Sequence, residues 1–303
     1  MILKFKIGFI FMLAMCSSLT VKSQQDPQFT NYMFNTLSVN PAYAGSRGHL
    51  SALGLVRTQW VGIDGAPETQ TLSIESPVGK NVGLGLSLIN DELGPAAETY
   101  IDASVSYTVK LNDKSRLSFG MKLGGRFFNV DLSDGFQNGP DVPSINNDFL
   151  PTIGAGLYWR NENTYLGLAV PNFLANNHFD FDIDSFSQEK LHYFFIAGKV
   201  FDVSERVKLK PSFLFKFVTG APVIADISAN VLLYEAFRLG VAYRWDDSVS
   251  GLLGLNVSPK LILGYAYDLT TTRLGDFNSG SHEVFLRYEL ITKEKQLKSP
   301  RFF

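Results

Sequence analysis

Cysteine is nearly missing from this chain: 303 residues contain one, Cys16, near the N-terminus. A disulfide framework, a thiolate metal centre and a cysteine nucleophile supported by a partner thiol are therefore excluded. Long apolar runs are missing too. Beyond residue 23 no stretch approaches the ~18–20 apolar residues that a spanning helix needs. Charge of one sign is not in excess, with 27 Lys and Arg against 29 Asp and Glu and a net charge of -2. No strong field steers the chain toward nucleic acid. Catalytic vocabulary is thin. His49, His178, His192 and His282 are isolated from one another, and no pair has metal-ligand spacing. There is no G-x-S-x-G elbow and no G-x-x-x-x-G-K-[ST] loop. Neither a cofactor nor an enzymatic activity is expected.

What is present begins with an address. Lys4 and Lys6 precede an apolar run from Ile7 to Met15, and Val21-Lys22-Ser23 follows. This layout predicts a secretory signal peptide over residues 1–23. The apolar run is too short to cross ~30 Å of hydrocarbon. Leu13-Ala14-Met15-Cys16 resembles a lipoprotein cleavage site only superficially, because Met15 is bulky where that site needs a small residue. The mature chain then has no cysteine.

Large residues recur with period two. Val82, Leu84, Leu86 and Leu88 alternate with Gly83, Gly85 and Ser87. Phe237, Leu239, Val241, Tyr243 and Trp245 alternate with Arg238, Gly240, Ala242 and Arg244. Such alternation is a strand signal. A soluble sandwich would alternate as well. Here, however, one parity is apolar and the other carries Arg126, Lys208, Lys216, Asp226, Arg238, Arg244 and Arg287, with Glu283 and Glu289 as candidate counter-ions. That division suits a membrane barrel with lipid outside and a polar lumen. Aromatics make up 13% of residues. Trp60, Tyr107, Phe127, Tyr158, Tyr234, Trp245 and Tyr267 fall near strand ends, as interface girdles require. About fourteen strands of ~9–11 residues are counted. Short connections near residues 78, 112, 162, 204, 235 and 258 alternate with long ones at 130–148, 172–189 and 271–280, as periplasmic turns and external loops do.

Asp180, Asp182 and Asp184 alternate in one long loop and form a weak Ca²⁺ candidate. Ser185 stands where a calcium loop wants glycine and Leu191 where it wants a bidentate glutamate. The other reading is the polar edge of a strand above the membrane.

The segment after the signal reads Asp26-Pro27-Gln28-Phe29-Thr30-Asn31-Tyr32-Met33-Phe34-Asn35, then Asn40-Pro41-Ala42-Tyr43-Ala44-Gly45-Ser46. Phe29, Tyr32, Met33, Phe34 and Leu37 have helical spacing, which predicts a short amphipathic helix over 29–37 at the periplasmic mouth. Pro41 disfavours helix at Asn40, and Gly45 permits a turn. The segment is either a packed plug or a docking element for a partner.

These two motifs, with Arg57-Thr58-Gln59-Trp60-Val61-Gly62, Gly65-Ala66-Pro67-Glu68-Thr69-Gln70 and Ser76-Pro77-Val78-Gly79, resemble the PorP/SprF family of the type IX secretion system. The resemblance implies a non-enzymatic outer-membrane protein that helps export or surface-anchor an adhesin-like cargo bearing a C-terminal sorting domain. It also implies contact with the periplasmic ring of the machine, with Phe29, Tyr32, Met33, Phe34, Asn40, Pro41 and Tyr43 as plug or partner residues. The competing reading is an outer-membrane transport barrel for a small hydrophobic solute, since Asn40-Pro41-Ala42 is similar to a hatch motif of fatty-acid transporters.

The expected organisation is a signal peptide (1–23), an N-terminal plug or docking segment (24–46), an all-β transmembrane antiparallel barrel of about fourteen strands (47–291) and a periplasmic tail (292–303).

Overall fold

A computed structural model describes residues 27–130, 145–174, 190–219 and 221–291. The expected signal peptide, Asp180, Asp182, Asp184, most of the loops at 130–148 and 172–189, and the tail lie outside the described residues.

The strands follow the alternation. In chain order they are β1 (Leu50–Thr58), β2 (Glu68–Val78), β3 (Val82–Leu93), β4 (Ala96–Lys110) and β5 (Arg116–Val130). Next come β6 (Ile145–Arg160), β7 (Thr164–Val170), β8 (His192–Lys199), β9 (Phe201–Ser204) and β10 (Val207–Val218). The last are β11 (Ile224–Leu233), β12 (Phe237–Arg244), β13 (Ser248–Ser258), β14 (Leu261–Thr270) and β15 (Ser281–Leu290). Each pairs antiparallel with its neighbour. β15 pairs with β1, and β10 pairs with β11, so the sheet closes. β8 and β9 both lie along β10 and are interrupted at Val200, where the break in pairing on β10 falls at Lys210 and Pro211, the latter without a backbone N–H to donate. They count as one stave, giving a closed barrel of fourteen. Closure leaves no open edge, which is what lipid demands of a spanning sheet.

Strands β4, β5 and β6 have 15, 15 and 16 residues, longer than the expected span. The extra length lies at the end that carries the loops 59–67, 131–144, 171–191 and 271–280, the long-loop end. The opposite, short-turn end carries the turns at 79–81, 111–115, 161–163, 205–206, 234–236 and 259–260.

The core is inverted relative to a soluble protein. Leu84, Leu86, Val105, Leu239, Val241 and Leu286 are exposed on the outer surface. Ser87, Ser106, Ser212, Asp226, Arg244 and Arg287 are buried inside. One aromatic departs from the girdle expectation. Tyr158 is buried at 4% exposure, because its parity points inward, where its ring meets Tyr43.

The N-terminal segment departs from expectation in form and position. Residues 30–35 form turns rather than helix. One helical turn, α1 (Thr36–Val39), follows, and then a 3-10 turn, Pro41–Tyr43. The segment lies inside the barrel along the lumen, not only at its mouth. Helical spacing placed the large side chains correctly in one compact unit. The N–H groups of Thr30 and Asn31 donate to the Glu283 carboxylate on the wall, while the Asn31 carbonyl accepts from the N–H groups of Phe34 and Asn35 in a single turn, so these groups are satisfied without a regular helix over 29–37.

Candidate functional site: a lumen filled by the N-terminal segment

At the long-loop end the segment is gripped by the wall. Glu283 accepts from the backbone N–H of Thr30 at 2.9 Å, the N–H of Asn31 at 2.7 Å and Asn31 Nδ2 at 2.8 Å. Thr30 Oγ1 donates to Asp268 at 2.6 Å and accepts from Arg57 at 2.8 Å. Arg57 also pairs with Asp268 at 2.8 Å and Glu283 at 3.3 Å. Nearby, Arg244 pairs with Asp226 at 3.0 Å and donates to the carbonyl of Phe29 at 3.4 Å.

Apolar packing continues along the lumen. Phe34 and Phe285 have ring centroids 4.3 Å apart, and the guanidinium of Arg287 lies 5.5 Å from the Phe34 ring. Arg287 also donates to the Phe34 carbonyl. Phe29, Tyr32, Met33, Phe34, Leu37 and Val39 are all buried.

The Asn40-Pro41-Ala42-Tyr43-Ala44-Gly45 stretch is seated on strands β3 to β7. Asn40 Nδ2 donates to the carbonyl of Leu157 at 3.0 Å, and its Oδ1 accepts from the N–H of Ala42 at 2.9 Å. Ser106 Oγ donates to the Ala44 carbonyl at 2.7 Å. Gly45 has φ +68, and a Cβ there would stand 2.7 Å from the Cα of Gly83. Both the left-handed backbone and the close approach require glycine.

At the short-turn end the segment is latched. Arg47 donates Nε to Glu289 at 2.7 Å, and its second nitrogen forms an ion pair with the same carboxylate. Arg47 also donates to Tyr43 Oη at 3.0 Å. The N–H of Gly45 donates to Glu75 at 2.9 Å. Buried pairs of this kind destabilise by roughly 3–5 kcal/mol when one partner is removed.

Charges on the wall also pair with each other. Lys122 meets Asp102 at 2.7 Å and Arg126 meets Glu98 at 3.2 Å. Arg238 donates to Asn256. Lys216 is buried, with its ammonium 5.7 Å from the Phe194 ring. Lys208 stands apart at the short-turn rim, part exposed, 3.5 Å from Asp202. Two residues picked out as counter-ions, Glu283 and Glu289, bind the N-terminal segment as well as cations. Sequence reasoning missed Arg57 and Lys122 as wall cations, and with them Asp102, Asp268 and Glu75. Arg57 shares its parity with Leu53 and Leu55, which face inward against the segment, so an apolar-equals-outward rule misassigns β1. Among the described residues no group of His, Cys, Asp and Glu is arranged to hold a metal.

Free space lies toward the long-loop end. One cavity of about 500 Å³ is bordered by Gln28, Arg57, Trp60, Lys216, Asp247 and Asp268. A smaller one of about 100 Å³ lies beside Phe29, Tyr32, Lys122, His192 and Asp226. A closed outer-membrane-type barrel whose lumen is occupied by its own N-terminus is a scaffold shared by many functions, so the weight falls on family. The sequence matches the family described as "Type IX secretion system membrane protein PorP/SprF" over residues 21–288.

The chain belongs to the PorP/SprF family.

This PorP/SprF protein is thus a membrane component of the type IX secretion system, with an outer-membrane barrel fold. No curated protein matches the sequence. Solved barrels resemble it in fold. The toluene transporter TodX of P. putida aligns at 11% identity over 84% of this chain and 93% of TodX, with a TM-score of 0.50. The TodX deltaS2S3 mutant, a monoaromatic hydrocarbon channel, aligns at 12% identity over 84% and 94%, with a TM-score of 0.51.

Proposed function

We propose that this PorP/SprF protein is a closed, non-enzymatic adaptor in the outer membrane, holding a secreted cargo on one rim and the secretion machine on the other. The observation that carries this reading is the occupied lumen. With all but Ser38 and Gly45 of residues 29–47 buried among wall side chains, recognition is left to the two rims. Bacterial barrels keep short turns in the periplasm and long loops outside, so the long-loop end is the outer face. Binding loops on a rigid scaffold are the parts free to vary in shape. The loops at 130–148 and 172–189 accordingly select an adhesin-like cargo through its C-terminal sorting domain. The short-turn end and the latched segment 24–46 serve the periplasmic ring.

The transport reading for a small hydrophobic solute draws on the apolar side of the smaller cavity, where Phe29, Tyr32, Ile89, Phe194 and Leu214 gather. Asp102, Lys122, Lys216, Asp226 and Arg244 line the same space and oppose it, since an apolar solute leaves such groups unsolvated.

The test is a loop exchange. Replacing residues 130–148 and 172–189 with those of a paralogue should redirect which cargo is retained at the cell surface while the barrel still reaches the outer membrane. Unchanged cargo choice after both exchanges would remove the assignment of cargo to this face.

A further inference from the structure

The buried arginines of the lumen differ in one respect. Arg47, Arg57, Arg126 and Arg244 each meet a carboxylate. Arg238 meets the Asn256 side chain and Arg287 the Phe34 carbonyl. Arg160, at 3% exposure, makes no hydrogen bond or ion pair with its side chain among the described residues, and its Nε is buried and unpaired. Glu75 acts on it only from beyond ion-pair distance, being engaged with the N–H of Gly45. An uncompensated buried charge is among the most destabilising features a fold retains.

Its surroundings sharpen the anomaly. Arg160 ends β6 at the short-turn end and sits directly opposite Arg116 of β5, which sits directly opposite Lys110 of β4. Like charges directly opposite on neighbouring strands repel. Lys110 is relieved by Asp113, at 2.7 Å, whose carboxyl it holds below the usual carboxylate range through that hydrogen bond. Arg116 has no side-chain hydrogen bond or ion pair among the described residues. All three share the parity that faces the lumen, together with the buried Ser118, Ser106 and Tyr158.

We propose that Arg116 and Arg160 form an anion-binding site at the short-turn mouth, and that its ligand is a carboxylate on an acidic segment of a partner protein. Two guanidinium forks side by side match the geometry of a carboxylate or phosphate oxygen pair. The inward parity points the site at the mouth of the lumen, away from the lipid annulus, which favours an inserted protein segment over a headgroup. Such a ligand would quench the row of cations and supply the partner that Arg160 lacks among the described residues. The partner's periplasmic location rests on the function proposed above. The anion site does not.

The test uses the mature full-length protein in phosphatidylcholine nanodiscs, with a fluorescent hexaglutamate peptide as the probe at low salt. Arg160→Gln and Arg116→Gln should each weaken peptide binding about tenfold or more, the scale of one or two charge-assisted hydrogen bonds. Lys114→Gln, on the adjoining turn, should leave binding within about twofold. Because Arg160 has no partner to strand among the described residues, Arg160→Gln should leave the thermal midpoint unchanged or raise it. Equal hexaglutamate affinity in wild type and Arg160→Gln overturns the proposal, as does a lowered midpoint, which would mark a structural role. Loss of peptide binding on exchanging the lipid for phosphatidylglycerol would assign the site to a phosphate headgroup and overturn the choice of a protein ligand. If Arg160→Gln abolishes peptide binding while ring components still co-purify, the anion site stands and the periplasmic docking role falls.

Discussion

Asn40 lies so close to Gly156 that a Cβ on the glycine would stand 2.1 Å from Asn40 Oδ1. The same holds at Gly120, where a Cβ would stand 2.1 Å from the backbone nitrogen of Ala42. Glycines of β5 and β6 therefore shape the wall into a seat for the Asn40-Pro41-Ala42 turn. Gly156→Ala and Gly120→Ala should destabilise the barrel by about 1–3 kcal/mol, the usual penalty of overpacking. Gly251→Ala, where a Cβ meets nothing within 4 Å, should be neutral. The temperature at which the folded band disappears on unheated gels reads this out. Equal behaviour of the three variants would mean that the segment is not seated on this wall.

Glu283 holds two backbone N–H groups of the segment and one cation of the wall. Glu283→Gln should lower stability by roughly 3–5 kcal/mol, since Arg57 then loses half its counter-charge and the amides lose a charged acceptor. Met33→Cys, in a chain whose one native cysteine, Cys16, is replaced by serine, provides the local readout. Met33 is 4% exposed, so its thiol should resist a water-soluble maleimide in the wild-type background and react in Glu283→Gln. Protection in both backgrounds would show that the grip at Glu283 is dispensable.

The occupied lumen makes a prediction about conductance. In planar bilayers the wild-type barrel should show little steady current. A variant lacking residues 27–43 should conduct as an open barrel. If that deletion fails to assemble, Arg47→Ala combined with Tyr43→Ala, which removes the latch to Glu289 and the ring contact with Tyr158, should produce intermittent openings. A wild-type barrel that conducts steadily would refute closure.

The outer surface is expected to behave as a lipid face. Leu86 is 41% exposed and pairs with Ile74 and Ala103 in mid-strand. Leu86→Arg should destabilise by about 2–4 kcal/mol, while Trp245→Arg, at the strand end, should do so by about 0–1 kcal/mol. Urea titrations of the barrel in vesicles would compare them. Similar losses at both sites would argue that the membrane band is placed wrongly along the strands.

The strand count, the division into a polar and an apolar face and the alternation of short and long connections are all legible in the order of residues alone. Each rests on a pattern of period two repeated along the chain, and the repetition corrects local errors. Tyr158 shows the limit. As a large aromatic near a strand end it reads as girdle, and only its inward parity, set by the pairing of Gly156 with Gly120 and of Tyr158 with Ser118, places it against Tyr43.

The sequence by itself determined a closed barrel and the family, because alternation, turn length and the Asn40-Pro41-Ala42-Tyr43-Ala44-Gly45-Ser46 motif are local and directly readable. Tertiary structure alone decided where the N-terminal segment runs, which cations pair and which buried arginine, among the described residues, is left over. Thr30 meets Glu283 across 253 residues, and Arg47 meets Glu289 across 242. Barrel closure brings these groups together inside a low-dielectric lumen, where each buried amide and charge takes whatever partner the opposite wall presents. Local propensity has no access to that choice, so the helix expected at 29–37 yields to turns, and Arg160 stands beside Arg116 with no counter-ion among the described residues.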